Sequence, residues 1–196
     1  KYSVVLANAV ISRTAATNWT PIWDSWNERA NSYFAQTVVP TSTNLTPGTV
    51  DKFRDWCDDQ RLPITKAYGG HYFSPEQAVW INAFRATLPE EAENMTLALA
   101  SLIQAASESA AAPGHTAQPL QPTPTAMPFL KRAWEFNIAE RTKKALEEIS
   151  QKHARTVGSA FVCNANEAAA QLGEGDLAFI DPPYSGEHYS RFYHVL

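Results

Sequence analysis

Apolar residues recur at three- and four-residue spacing along most of this chain, the pattern of helices that bury one face. Tyr2, Val5, Leu6, Ala9 and Val10 trace a first helix, with no capping residue ahead of them. Trp19, Ile22, Trp23, Trp26, Ala30, Tyr33 and Phe34 trace an aromatic stripe on a second, with Pro21 near its first turn. The Thr- and Ser-rich stretch 40–47 reads as a loop before a short helix over 48–60 that bears Phe53, Trp56 and Cys57. Ser74, Pro75 and Gln77 spell a helix start: Ser at the N-cap, Pro at the first helical position, Gln three residues past the cap. That helix continues through Val79, Trp80, Ala83 and Phe84 to Pro89, and an Ala-rich helix follows from about 90 to 112, with Leu97, Leu99, Leu102 and Ile103 as its buried side. A proline-rich loop covers 114–128, Phe129, Trp134 and Phe136 lead into the next helix, and Asn137 opens that last long helix, which runs to about Arg155.

Past Gly158 the period changes. Ser159–Cys163 and Leu177–Ile180 are short apolar runs, read as strands buried on both faces of a sheet, with a short helix from Asn164 to Leu172 between them. Strand, helix, strand in that order predicts a parallel crossover, so the expected fold class is α/β. The expected organisation is a truncated core helix over 1–20, a mostly helical insertion over 21–136, and the α/β core again over 137–196. Both ends stop inside apolar patterns without caps, so the chain reads as a fragment of a longer protein.

The second run ends on Asp181, followed by Pro182, Pro183 and Tyr184. A residue before proline is biased to extended geometry, and two prolines in a row fix φ and remove two backbone donors. The turn therefore offers acceptors only, with an aromatic ring beside them, at the carboxyl end of a predicted strand where open α/β folds bind ligands. Such a turn suits a planar heterocycle with an exocyclic amine. Asp181 and the Pro182 carbonyl each accept one amino N–H, and Tyr184 stacks on the ring.

Gly175–Tyr184, together with the run Ser185–His194, resembles the Asp-Pro-Pro-Tyr motif of Dam-like (D12 class) adenine-specific DNA N6-methyltransferases. The resemblance implies a Rossmann-like, S-adenosylmethionine-dependent methyltransferase core with a largely helical insertion that recognises double-stranded DNA. It makes Asp181, Pro182, Pro183 and Tyr184 the catalytic turn and Asp181 a cofactor contact. It places Asn164 or Asn166 where the family has an acidic residue against the cofactor's adenine. Tyr189 and Arg191 become nucleic-acid contacts. The family's Gly-rich cofactor loop is absent from these residues, so the fragment alone is expected to bind cofactor poorly and to turn over little. An amide presents the same pair of N–H groups, so transfer to RNA or to a glutamine side chain stays open. So does a non-catalytic, DNA-binding piece.

Gly69-Gly70, flanked by Tyr68, His71, Tyr72 and Phe73, is a second candidate: a bend that permits close backbone approach and offers aromatic faces to unstacked bases. It resembles a recognition segment of the same family, with Gly69 where Asn is usual and Phe73 where Arg is usual, and makes Tyr68, Gly70, His71 and Tyr72 nucleic-acid contacts. A structural turn packed by aromatics explains the same residues.

The net charge of -4 argues against a general nucleic-acid coating protein but leaves room for a local patch. Lys131, Arg132, Arg141, Lys143, Lys144, Lys152 and Arg155 are concentrated over 131–155, where Glu140–Lys144 and Lys144–Glu148 pairs on a solvated helix are the plainer reading. Cys57 and Cys163 are isolated, with no metal-ligand spacing around either, which points to buried free thiols in a reducing cytoplasm. No apolar run reaches the roughly 20 residues of a membrane span.

Overall fold

The computed structural model describes residues 2–113 and 118–181. Among them lie nine helices: α1 (Tyr2–Ile11), α2 (Thr20–Phe34), α3 (Pro47–Asp58), α4 (Pro63–Tyr68), α5 (Pro75–Ala86), α6 (Ala92–Ser109), α7 (Met127–Trp134), α8 (Ile138–Ser150) and α9 (Ala165–Ala169). Proline stands in the first turn of α2, α3, α4, α5 and α7, where its fixed φ favours the helix and its missing N–H costs nothing. The capping box read from Ser74 and Gln77 forms, with Gln77 N–H donating to Ser74 Oγ and Ser74 N–H to Gln77 Oε1.

The α/β expectation fails. Helix makes up 56% of the described residues and strand 1%, and among them there is no central sheet for a Rossmann-like core. A strand needs a neighbour for its N–H and C=O groups. The described helices spend those groups internally, so the runs 159–163 and 177–180 find no partner strand and adopt no regular structure.

Helix α6 is central. Leu97, Ala98, Ala100, Ser101, Leu102, Ile103, Ala105, Ala106 and Ser109 are all buried, so it is enclosed on nearly every side, as a helix with apolar residues all round must be. It packs most extensively on α8, with α1 also against it and α2 laid on α5. The main core draws Ala9 from α1, Trp26 from α2, Phe84 from α5, Leu97 from α6 and Leu146 from α8, across the boundaries proposed at residues 20 and 136. The stripe on α2 is core: Trp26 is fully buried, donates its Nε1–H to Phe84 O at 3.0 Å, and meets the Phe84 ring edge-on at 4.9 Å. Trp80 extends the stack from Phe84 to Phe34.

Arg13 joins both ends of this body. Its side chain is 7% exposed and donates from Nε to Ala9 O (3.0 Å), from Nη1 to Ala15 O (2.9 Å) and Ser150 O (2.8 Å), and from Nη2 to Ile149 O and Lys152 O (both 2.6 Å). It thus caps the C-terminus of α8 and the last turn of α1 at once, where a helix offers unpaired carbonyls and partial negative charge. Burial lowers its pKa, and Glu93 offsets part of that effect. Replacing Arg13 by Met strands these carbonyls in a buried site and is expected to cost about 3 kcal/mol. For a chain of this length that lowers the melting temperature by roughly 6–12 °C. Lys, which lacks the planar fork, should recover only part of the loss in the same calorimetric measurement.

Candidate functional site

After α8 the chain runs back along α1. Ala154 N–H donates to Arg13 O (3.0 Å) and Gly158 N–H to Ile11 O (2.7 Å), while the Asn8 amide grips Ala160 at both backbone groups, at 2.7 and 2.9 Å. An asparagine amide here does what a neighbouring strand would do for one residue. Beyond Ala160 the chain leaves the body. Phe161 and Val162 are 57% and 68% exposed, and the run expected to be a buried strand is the most exposed of all: Leu177 96%, Phe179 91%, Ile180 82%. Asp181 follows it, exposed, while Pro182, Pro183, Tyr184, Tyr189 and Arg191 lie outside the described residues.

The proposed cofactor contacts are likewise exposed. Asn164 caps α9, its Oδ1 accepting from Asn166 N–H at 2.9 Å, so that oxygen already has a local task. Asn164, Asn166 and Asp181 do not line the three grooves formed by 40–45 with α3, α5 and α7, by α2 with 88–94, and by α6 with α8.

The Gly69-Gly70 bend is placed by α3 and α4. Gly70 has φ +72°, a left-handed conformation that glycine tolerates. A Cβ on Gly69 would meet Cys57 Sγ and Thr65 O at 2.6 Å, and one on Gly70 would meet Arg54 Cγ at 2.7 Å and Arg54 Cα at 2.9 Å. The close approach that two glycines permit is thus an approach to helix α3. Arg54 Nε donates to Gly70 O at 3.0 Å and holds the bend. Tyr72 and Phe73 are buried in the core, and Tyr68, half-buried, meets Tyr72 edge-on at 6.1 Å. Gly70 and Tyr72 therefore serve packing, whereas Tyr68 and His71 retain partial exposure. Burial, then the nearby Arg54, hold the His71 pKa below its ordinary value, and burial with Asp58 pushes the Cys57 thiol up to about 12, which leaves it inert. The expectation of buried free thiols is met for Cys57 and not for Cys163, which is exposed.

Over 131–155, three of the seven basic side chains are paired: Lys131 with Glu135 (4.0 Å), Arg141 with Glu108 (3.0 Å) and Lys144 with Glu148 (3.8 Å). Arg141 also lies 3.7 Å over the Phe136 ring. Arg132, Lys143, Lys152 and Arg155 form no ion pair among the described residues. No group of three or more His, Cys, Asp or Glu side chains among the described residues could hold a metal ion, and no described helix is long and apolar enough to cross a membrane.

A groove of about 200 Å³ opens where the 40–45 loop, α3, the start of α5 and α7 meet. Phe53 and Trp134 form part of its wall, their ring centroids 6.3 Å apart, and Thr41, Thr43, Lys131 and Glu76 are among its lining residues. Sequence reasoning passed over it, because 40–47 read as a plain loop and α7 was read as the approach to the next helix. The spacing of Leu130 and Trp134 after Pro128 was the available signal. Compared with known proteins, the chain matches no family model, no curated protein and no solved structure.

Gly70→Ala is expected to destabilise the body by about 3 kcal/mol, combining left-handed strain with a clash against α3 backbone, read as a lower urea midpoint. For His71 the native state binds fewer protons than the unfolded state, so its contribution to stability is complete above pH 6.5 and is lost as pH falls below that value. Urea titrations at several pH values should show a shallower acid-side decline in His71→Gln than in the wild type.

Proposed function

We propose that this chain carries the amine-binding turn of a cytoplasmic, adenine-specific DNA N6-methyltransferase that draws its methyl group from S-adenosylmethionine. The observation that carries the reading is the sequence Asp181-Pro182-Pro183-Tyr184 after an apolar run that the helical body leaves uncovered. A stretch needed for packing this body would be buried in it, as Trp26, Phe84 and Leu146 are. Leu177, Phe179 and Ile180 stay outside a core that closes without them, so their apolar character belongs to another task. Two free thiols, Cys57 and Cys163, support the reducing compartment.

The chemistry assigned to the turn follows from its acceptors. The adenine amine is a weak nucleophile because its lone pair is conjugated with the ring. Asp181 accepts one N6–H and the Pro182 carbonyl the other, which draws nitrogen toward tetrahedral geometry and frees the lone pair; the N–CH3 bond would form as the S–CH3 bond breaks, the sulfonium would leave as the neutral thioether S-adenosylhomocysteine, and the methylated nitrogen would then release one proton to solvent. The base must leave the duplex, and stacking on Tyr184 offsets part of the unstacking cost of a few kcal/mol.

The test is transfer of labelled methyl groups from S-adenosylmethionine to unmethylated DNA by the full-length protein. Label is expected in N6-methyladenine, and Asp181→Ala is expected to lower the rate at least about 100-fold. The substitution lies outside the helical body, so the helical circular dichroism should not change. Folded protein that transfers no label to DNA overturns the reading.

A further inference from the structure

We propose that the groove between α3, α5 and α7 binds one unstacked base of the DNA strand, an inference that rests on the methyltransferase reading and adds a recognition site to it. A volume of about 200 Å³ is below that of pockets for drug-sized molecules, so the groove admits a single ring system and not a folded ligand. Its chemistry matches a base. Trp134, half-buried and backed by the buried Phe53, gives an aromatic surface, and base stacking on such a surface tolerates any base. Two carboxylates, Glu76 and Glu135, offer acceptors for an exocyclic amine, the role carboxylates take toward cytosine N4. Thr41 and Thr43 add hydroxyls at the edge. The same carboxylates repel phosphate, so the base and not the backbone enters. Lys131, paired with Glu135 only at 4.0 Å and with both side chains 63% exposed, is the cation available to a phosphate outside.

Trp134 differs from the core tryptophan in a way that fits this role. Trp26 spends its indole N–H on Phe84 O, whereas Trp134 Nε1–H is buried with no acceptor among the described residues. Trp134 is therefore held by packing, against Phe53 and the cluster of Val50, Ala111 and Leu130, and not by a hydrogen bond of its indole N–H. The start of α5 contributes as well, with Ser74, Pro75 and Glu76 in the wall of the groove.

The experiment is fluorescence anisotropy of a short labelled single-stranded deoxyoligonucleotide with the full chain, beside a strand of equal length made of abasic sites. Thr43→Trp, an exposed substitution that fills the groove, and Trp134→Leu are each expected to weaken binding at least about tenfold, to the level of the abasic strand on the wild type. An unchanged melting temperature in Thr43→Trp shows that the body is intact. Wild-type affinity in the folded Thr43→Trp protein, or equal binding of abasic and base-bearing strands, overturns the proposal. Trp134-dependent binding without methyl transfer by the full-length protein would sink the methyltransferase reading and leave the groove standing. Asp181-dependent transfer with an unchanged KM in Thr43→Trp would do the reverse.

Discussion

The guanidinium of Arg13 is the contact on which the rest depends. Helix α8 ends in the interior, where its last carbonyls cannot reach water, and α1 ends beside it. A planar cation with five N–H groups meets both needs, because its fork matches several oxygens at once and its charge complements the negative ends of two helices. Burying such a charge without a carboxylate contact is tolerable because every donor group is used on oxygen acceptors. The same residue's own carbonyl receives Ala154 N–H, so the cap also sets the direction in which the chain returns along α1 and where it leaves the body for Asp181.

Around that anchor the core follows ordinary packing rules. Small residues let the middle of α6 be enclosed by its neighbours, and the aromatic residues of α2 and α5 fill the volume beside it. The Gly69-Gly70 bend shows how one local signal serves two ends. Glycine permits close approach of any neighbour, and here the neighbour is Arg54 and Cys57 of α3 rather than a ligand. Aromatic residues around such a bend are equally ambiguous: Tyr72 and Phe73 turn inward, and only tertiary structure decides that.

The candidate sites divide in the same way. Asp181 and the three residues after it were legible in sequence because their chemistry is contiguous: an acceptor, two residues without donors, and a ring. The groove was not legible, since its walls come from positions 40–45, 53, 74–76 and 131–135, and nothing local joins Phe53 to Trp134. The basic segment stood between these cases. The i,i+4 pair of Lys144 and Glu148 follows from helical geometry alone, but the partner of Arg141 is Glu108, thirty-three positions away on another helix.

What the sequence determined by itself was therefore helical and local. The period of apolar residues, proline in first turns and the reciprocal Ser74–Gln77 cap act within a few residues, because helix hydrogen bonds close within four. Tertiary structure decided everything that needed a distant partner. Leu177–Ile180 has the composition of a buried strand, yet a strand exists only beside another strand, and the described residues provide none. The run is exposed for that reason, and the same dependence on distant partners explains why Arg13 became the cap of a helix more than a hundred residues downstream.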